Sequence, residues 1–436
     1  MIRPGLAAAV LTGPWSAQPV ELRCAHHFGW LIASSQLRDF TAALLRRWPD
    51  RPGDAELAAF VAKWPEITDE PALSPPPLPA APPPYSSPRL HRPMVAITTR
   101  SELARLLWLT ESELDWFADL QLRNRRVPSG PLRHYRYRSL PEQRGKIRLL
   151  EIPKPRLREI QRRLLAHFVG AIPLHPAAHG AVPGRSVRTC VEAHSGRQVL
   201  VRCDLESFFA SITRPRVRGL FDSIGLDDSG TAVVLAGLAT AAVPSQVLRS
   251  LPRPVRPGSI DAHRRGRHRL AAPHLPQGAP TSPGIANALA YSLDHRLSLL
   301  AEAVGARYTR YVDDLLFSGD EDLAVGALLA GVRDIARAEG FRLAERKTAV
   351  LRSSRRQAVL GTVLNVKPSI DRRELDRLRA VLHNCAVHGV ASQAGGRPVP
   401  EFRERLAGQL AWVGSISTEK GQRLRREFQE LDWSSG

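Results

Sequence analysis

Cysteine is scarce in this 436-residue sequence, and its placement excludes two kinds of site. The four cysteines, Cys24, Cys190, Cys203 and Cys385, are scattered, and none forms a CxxC pair. Zinc sites and disulfide frameworks need cysteines at close, recurring spacings, so neither is expected. Unpaired thiols are typical of a reducing compartment, and we expect a cytoplasmic protein.

Long hydrophobic runs are missing as well. No stretch of the sequence is long enough to span a membrane. The mildly apolar segment 1–20 is interrupted by prolines and glycines, so it lacks the core of a signal peptide. We therefore expect no membrane partner.

Acidic residues are fewer than basic ones: the sequence has 42 Asp and Glu and 62 Lys and Arg, which gives a net charge of +20. Such an excess indicates a polyphosphate partner, with a basic surface that binds nothing as the alternative. Three rings, His134, Tyr135 and Tyr137, lie within the densest basic stretch. Basic groups with interleaved rings suit phosphate contacts and base stacking, although a solvated basic hairpin has the same pattern. The basic residues of this stretch are Arg123, Arg125, Arg126, Arg133, Arg136, Arg138, Arg144, Lys146 and Arg148.

Composition divides the chain into segments. Apolar periodicity predicts helices over 35–47 and 54–64, and the proline-dominated segment 71–93 predicts an extended spacer. An SH3-type ligand is the alternative interpretation of those prolines. The segment 244–274, rich in Arg, Pro and Gly, reads as an exposed insertion. Further predicted helices cover 99–118, 157–168, 214–224, 285–300, 323–339 and most of 371–428, with strands over 199–204 and 341–343 and a hairpin over 359–365.

Two adjacent carboxylates stand out within the stretch 310–318. Apolar and β-branched residues flank Asp313 and Asp314, which predicts a β-hairpin with both acids at its turn. A solvated surface turn is one interpretation, and a shared cation with oxygen ligands, Mg²⁺ or Mn²⁺, is the other. Asp204 ends the predicted buried strand 199–204. A third carboxylate beside the hairpin favours a site for two metal ions.

A proline- and glycine-rich loop, 275–283, lies between these acids and leads into the predicted helix 285–300. Such a loop suits the presentation of backbone groups and of the Gln277 amide to a nucleotide. As an isolated feature it is only a loop-to-helix junction.

These segments follow one another in a recognisable order: Asp204-Leu205-Glu206-Ser207-Phe208-Phe209, then 275–283, then Tyr311-Val312-Asp313-Asp314. Together they resemble the successive palm motifs of reverse transcriptases, and the resemblance covers roughly residues 98–428. Two segments are similar to those of bacterial retron enzymes in particular, namely Gln277-Gly278-Ala279-Pro280-Thr281-Ser282-Pro283 and Tyr308-Thr309-Arg310-Tyr311.

The resemblance implies a set of catalytic residues. It implies that Asp204, Asp313 and Asp314 ligate two Mg²⁺ ions, or Mn²⁺, with assistance from the Leu205 carbonyl. It also implies that Lys347 donates a proton to the departing pyrophosphate.

The resemblance implies nucleotide and nucleic-acid contacts too. Arg148 matches the arginine that holds the triphosphate, Gln277 and Leu205 are expected to contact the nucleotide, and Phe209 matches the steric gate that excludes a 2′-hydroxyl. Arg144 and Lys146 both stand where the family has a fingers lysine. Predicted nucleic-acid contacts are Lys146, Arg158, Arg185 and, in the primer grip, Gly361.

The implied fold is α+β, with the right-hand polymerase architecture of fingers, a palm of antiparallel sheet with helices, and a helical thumb. The expected boundaries are a small, mostly helical N-terminal extension of unknown role over 1–70, a Pro-rich linker over 71–95, fingers over 96–200, palm over 201–365 and thumb over 366–436.

The implied function is that of a retron-type reverse transcriptase, an RNA-directed DNA polymerase. That family copies part of its own structured noncoding RNA, primes from a 2′-hydroxyl and yields branched multicopy single-stranded DNA, often in antiphage defence. Expected partners are this RNA, dNTPs and the RNA–DNA product, with an effector protein left open. Two alternatives stay in place: another defence-associated or group II intron-like reverse transcriptase, and a catalytically idle RNA-binding scaffold.

Overall fold

The computed structural model describes residues 20, 34–63, 97, 99–141, 147–226, 230–252 and 260–433. The predicted linker 71–95 lies outside the described residues. The fold is mixed, with many helices and antiparallel sheets, as the sequence predicts. The helices span Ser34–Arg47, Asp54–Lys63, Arg100–Leu107, Glu111–Ala118, Pro155–Leu164, Val187–Glu192, Phe208–Ser211, Arg214–Ser223, Thr231–Ala239, Ser245–Ser250, Ile260–Ala271, Ser282–Leu289, Tyr291–Ala303, Val325–Ala338, Arg372–His388, Ala391–Ala394, Val399–Ile416 and Thr418–Gln429.

A four-stranded antiparallel sheet lies at the centre. Its strands, in spatial order, are β4 (Arg307–Tyr311), β5 (Asp314–Gly319), β3 (Val199–Asp204) and β6 (Ala349–Arg352). Five of the six residues of β3 are buried, and so are five of the six of β5. Strands buried along nearly their whole length are covered on both faces, so this sheet is an interior element.

Two smaller antiparallel sheets accompany the central four-stranded sheet. β1 (Tyr135–Pro141) pairs with β2 (Ile147–Pro153), and a three-stranded sheet follows β6. The predicted hairpin over 359–365 is confirmed in that second sheet, whose strands are β7 (Ala358–Val359), β8 (Thr362–Val363) and β9 (Ser369–Ile370).

Helices cover the central sheet and complete one large apolar core. The helix Tyr291–Ala303 packs on β4 and on the helix Val325–Ala338. Leucines of that first helix at 293, 297 and 300 are all buried in the core, at helical spacing. Each fully buried leucine stabilises the fold by about 1.5–3 kcal/mol. A second apolar cluster is built by the helices after residue 370, which confirms the helical pattern of the tail.

The structure divides two of the long predicted helices. The predicted helix 99–118 is interrupted at Trp108, whose φ of 57° is left-handed, and Thr99 and Thr110 each open one half with a capping box. The predicted helix 285–300 becomes Ser282–Leu289 and Tyr291–Ala303, separated at Ala290.

Two further predictions are wrong. The segment 341–343 is not a strand of any sheet, because Leu343 forms only an isolated bridge to Leu205. The insertion 244–274 contains two helices, and the second, Ile260–Ala271, docks on the chain just after β3. Apolar periodicity did not signal this docking because its contacts are made by arginines.

None of the described helices has both the length and the hydrophobicity that a membrane span requires.

Candidate active site

Three aspartates meet at one edge of the central sheet. β3 ends at Asp204, β5 begins at Asp314, and the strand register pairs these two residues directly. Asp313 lies in the two-residue turn between β4 and β5, and its carbonyl accepts a hydrogen bond from Leu205 N at 2.9 Å. The predicted turn is therefore displaced by one residue: Val312 and Asp313 form it, and Asp314 already belongs to the strand.

Burial and mutual repulsion oppose ionisation of the hairpin acids. Burial, followed by the charges of Asp313 and Asp204, raises the pKa of Asp314 to about 6. Burial and Asp204 also raise the pKa of Asp313. Three carboxylates in such surroundings favour a positive charge between them.

A lysine lies directly beside the aspartates. Lys347 Nζ lies 2.7 Å from Asp204 Oδ2 and donates a hydrogen bond to it. Within the described segments, no three His, Cys, Asp or Glu side chains converge as a ready-made metal-binding group. The donor set nevertheless fits Mg²⁺ or Mn²⁺, because it consists of carboxylate oxygens, and burial with mutual repulsion raises the pKa values of Asp313 and Asp314.

A buried arginine fixes the hairpin that carries these acids. Arg310 on β4 is fully buried, and its Nε and Nη2 donate to the two carboxylate oxygens of Asp294 at 2.7 and 2.6 Å. Its Nη1 donates to Val312 O at 3.0 Å and to Asn287 Oδ1 at 2.8 Å. Tyr308 also donates to Asp294, at 2.8 Å. The guanidinium therefore joins β4, the turn and two helices.

The turn itself has an unusual backbone. Val312 has φ of 58°, a left-handed conformation that is costly for a β-branched residue. Gly180 packs directly against it, since a Cβ added there would lie 2.6 Å from Val312 Cγ2. The Gly180 carbonyl accepts a hydrogen bond from Asn287 Nδ2 at 2.8 Å. The bond from Arg310 to Val312 O, and the packing of Gly180 that Asn287 holds in place, therefore stabilise a turn that valine alone does not favour.

A second buried pair links β2 to the loop that carries Gln277. Glu151 N donates to Gln277 O at 2.9 Å, and Gln277 N donates to Glu151 Oε1 at 3.3 Å. His274 Nε2 lies 2.9 Å from the same oxygen, and both side chains are 1% exposed. Although burial opposes a charged imidazole, attraction to Glu151 raises the pKa of His274. Gly278, with φ of 130°, fits here because a Cβ would lie 2.9 Å from Glu151 O.

Residues predicted to contact the nucleotide lie around the same edge. Arg148, on β2, is exposed, and its charge acts on Asp313, whose pKa it lowers against the larger effect of burial. Phe209 is partly buried and packs against Phe208, with ring centroids 5.6 Å apart. Ser207 precedes both with φ of 53°, so the chain reverses sharply just after Asp204.

The predicted nucleic-acid contacts have other partners. Arg158 Nη2 donates to Pro153 O at 3.2 Å, and Arg185 Nη1 donates to Ala178 O at 2.7 Å, so each stabilises its own backbone. Gly361 has φ of 75° and lies against Trp412. Lys146 falls outside the described residues. In the described part of the chain, Arg158, Arg185 and Gly361 make no contact with the aspartates.

His194, shortly before β3, is a core residue. Its ring nitrogens lie 2.7 Å from Ser318 Oγ and 2.8 Å from Thr309 Oγ1. Burial lowers its pKa to about 3, so the ring stays neutral. It ties β4 and β5 to the segment that precedes β3.

Sequence reasoning assigned no role to Asp294, Glu151 or His274. The usable signal was the position of Arg310 in a strand where apolar residues are expected, because a buried cation requires a buried anion. That signal does not identify the partner, which is 16 residues away in sequence.

Comparisons with known proteins agree with these motifs. The profile of the family described as reverse transcriptase (RNA-dependent DNA polymerase) matches residues 140–364. The Retron Mx65 reverse transcriptase of Myxococcus xanthus is 39% identical over 299 residues, which cover 69% of this chain and 65% of that protein. The Retron Mx162 reverse transcriptase of the same organism is 36% identical over 358 residues, 78% of this chain and 68% of the relative. The Retron Ec86 reverse transcriptase of Escherichia coli is 25% identical over 297 residues. The chain thus spans about two thirds of the length of these two Myxococcus relatives.

Proposed function

This chain belongs to the retron-type reverse transcriptases, and on that premise we propose that it copies RNA into DNA at the sheet edge that carries Asp204, Asp313 and Asp314. The observation that carries the proposal is the strand register, which pairs Asp204 with Asp314 and leaves Asp313 in the adjoining turn. Three carboxylates from two separate segments thereby reach one place.

These aspartates would hold two Mg²⁺ ions, with the Leu205 carbonyl as an additional ligand. The chemistry supplied by divalent ions at such a site is a lowered pKa of the attacking hydroxyl and stabilisation of charge at the transferred phosphorus. The raised pKa values of Asp313 and Asp314 support cation binding, because a nearby cation offsets the burial and the mutual repulsion that raise them. Lys347, within hydrogen-bond distance of Asp204, would protonate the leaving pyrophosphate.

The nucleotide would lie between β2, the 275–283 loop and the turn after β3. Arg148 offers a fork of donors for the triphosphate, and Gln277 is fixed to β2 through Glu151. Phe209 would close the sugar side and exclude a 2′-hydroxyl. Lys146, Arg158, Arg185 and Gly361 would contact template or primer, which for Arg158 and Arg185 requires donors beyond those bonded to backbone.

We extend the proposal to the parts of the chain. Residues 96–200 would act as fingers, 201–365 as palm and 366–436 as thumb, after an extension over 1–70 and a linker over 71–95. The separate apolar cluster built after residue 370 supports a thumb that folds around its own core.

The retron relatives support a narrower proposal. The template would be a structured noncoding RNA of the protein's own, primed from a 2′-hydroxyl to give branched multicopy single-stranded DNA, with antiphage defence as the role. Recognition of such an RNA would depend on its loops and shape. An effector protein would be a further partner, and the unpaired, buried Cys190, Cys203 and Cys385 support a reducing cytoplasm.

The polymerase proposal is tested with purified protein, Mg²⁺, dNTPs and a primed RNA template. Wild type is expected to extend the primer, whereas Asp313→Asn is expected to lose extension by at least a factor of about 10³, in line with the loss of a group that acts directly at the reacting centre. Asp322→Asn, an exposed acid away from the turn, is the matched control and should retain activity. Equal extension by wild type and Asp313→Asn would overturn the proposal.

The template is identified by sequencing the nucleic acid that copurifies with the protein. A single folded RNA joined to DNA through a 2′-linked branch is the expected finding. An intron-derived RNA would instead support the group II intron-like alternative. Phage protection that is equal for wild type and Asp313→Asn would favour the idle RNA-binding scaffold.

A further inference from the structure

Three arginines from two segments meet at Glu206, just beyond the aspartates. Arg265, on the helix Ile260–Ala271, donates from Nε and Nη2 to the Glu206 carboxylate at 3.2 and 3.0 Å. Arg269, one turn further along that helix, donates from Nη1 to Glu206 O at 3.0 Å. Arg342 joins through its backbone, because Glu206 N donates to Arg342 O at 2.7 Å. The helix is thereby attached to the turn after β3.

The charges at this cluster do not balance. The Glu206 carboxylate pairs with two guanidinium groups, 3.0 Å from Arg265 Nη2 and 3.6 Å from Arg269 Nη1, and the charge of Arg342 acts on the same cluster. Burial, together with repulsion from Arg265 and Arg342, lowers the pKa of Arg269 in spite of Glu206. The Arg342 side chain is exposed, and its guanidinium has no hydrogen-bond or ion-pair partner within the described part of the chain. An excess of fixed positive charge with donors facing solvent suits an anion.

The cluster lies beside the proposed catalytic carboxylates. Glu206 is the second residue after Asp204, so their Cα atoms are at most about 7 Å apart. The segment 342–344 runs past both, because Ala344 N donates to Asp204 O at 2.7 Å. A nucleotide whose α-phosphate reacts at Asp204 would place its β- and γ-phosphates within reach of this cluster. Guanidinium groups match phosphate through paired donors.

We propose that Arg265, Arg269 and Arg342 form a polyphosphate-binding site for the β- and γ-phosphates of the incoming nucleotide and for the pyrophosphate product. Glu206 holds the guanidiniums of Arg265 and Arg269 in place and competes with the ligand for them. The proposal rests on the proposed polymerase function for its choice of ligand. Backbone phosphates of template or primer are the other source of the same chemistry, and the measurements below distinguish the two.

The test measures binding, without metal and without turnover. Inorganic tripolyphosphate is titrated into the full chain by calorimetry, and Arg342→Gln is expected to weaken binding about tenfold, the equivalent of one charge-assisted hydrogen bond. Arg264→Gln, an exposed arginine on the same helix, is the matched control and should change binding less than twofold. Glu206→Gln should bind tripolyphosphate several-fold more tightly, because the competing charge is gone. A purely structural role for Glu206 predicts no such gain.

Two further measurements separate the possible failures. If Arg342→Gln leaves tripolyphosphate binding unchanged but weakens the affinity for primed template measured by fluorescence anisotropy, the cluster serves the nucleic-acid backbone and the proposal is overturned. Unchanged binding of both probes overturns it as well. If Asp313→Asn still binds tripolyphosphate in an Arg342-dependent way while wild type makes no DNA, the anion site holds and the polymerase proposal fails.

Discussion

Replacing Asp294 by Asn removes the buried countercharge of Arg310 while leaving a side chain of the same shape. Both charged groups are fully buried, and two hydrogen bonds of 2.7 and 2.6 Å join them. Removing one member of a buried ion pair leaves an uncompensated charge and costs about 3–5 kcal/mol. We therefore expect the free energy of unfolding of Asp294→Asn to fall by about that amount, measured by urea denaturation followed by circular dichroism.

The matched control is the same acid-to-amide change in an exposed pair. Arg333 and Glu345 also form a two-pronged contact, at 2.8 and 3.1 Å, but their side chains are 40% and 53% exposed. Solvent screens such a pair, so Glu345→Gln should cost less than about 1 kcal/mol. Equal losses in Asp294→Asn and Glu345→Gln would refute the reasoning, because burial would then not decide the energy of the pair.

The same substitution has a second expected effect, on activity. Arg310 also bonds Val312 O and Asn287, so loss of its anchor should loosen the turn that carries Asp313. Under conditions in which the variant is still folded, kcat for primer extension should fall by more than tenfold with little change in the KM for dNTP. Arg310→Lys should behave similarly, since an ammonium cannot reproduce the fork of donors. A variant that is less stable yet fully active when folded would contradict this positioning role.

The remaining predictions concern the acids, the loop, the gate and salt. In the folded protein the pKa of Asp314 is about 6, above its ordinary value of 3.8, so ionisation of this group destabilises the metal-free fold as pH rises from about 4 to 6. In urea titrations, Asp314→Asn should therefore raise the free energy of unfolding by about 1–2 kcal/mol at pH 8 and leave it unchanged at pH 3. A gain at both pH values would refute this prediction. Gly278→Ala should lower the free energy of unfolding by about 1–3 kcal/mol and raise the KM for dNTP. The control Gly225→Ala, also at positive φ but with open space around its Cβ, should lower stability and leave the KM unchanged. Equal KM values for the two variants would contradict this prediction. Phe209→Ala should admit ribonucleotides in competition assays, and unchanged selectivity would remove its role as gate. Template affinity measured by anisotropy should fall steeply with salt, and a flat dependence would contradict phosphate binding.

The carboxylates could be found from the sequence because their signals are local. Asp204 ends an apolar run and the hairpin acids interrupt another, so a window of a few residues contains the evidence. The turn was nevertheless misplaced by one residue. A β-branched Val312 is disfavoured at positive φ, and local propensity therefore assigns the turn to the aspartates. Arg310 bonds Val312 O locally, but Asp294 and Asn287, which hold Arg310 and Gly180 in place, are brought there by the fold.

The contacts that fix the site are spread widely in sequence. Glu151 meets His274 across 123 residues, and Arg265 meets Glu206 across 59. Neither pair has a periodicity or a motif that reveals its partner. The helix Ile260–Ala271 looked like an exposed insertion for the same reason, since only the fold shows that two of its arginines are directed at the turn after β3.

Two buried ion pairs fix the proposed metal-binding carboxylates and the proposed nucleotide-binding residues independently of each other. Arg310 and Asp294 fix the hairpin that carries the carboxylates, and Glu151 with His274 fixes the loop that carries Gln277 to the strand that carries Arg148. A buried pair is a weak source of net stability, because desolvation offsets most of its attraction. Its value lies in geometry, since a displaced charge would remain unpaired in the interior. For a phosphoryl transfer, in which positioning and electrostatics supply nearly all of the catalysis, such rigid supports on both sides of the reacting phosphorus are what the chemistry requires.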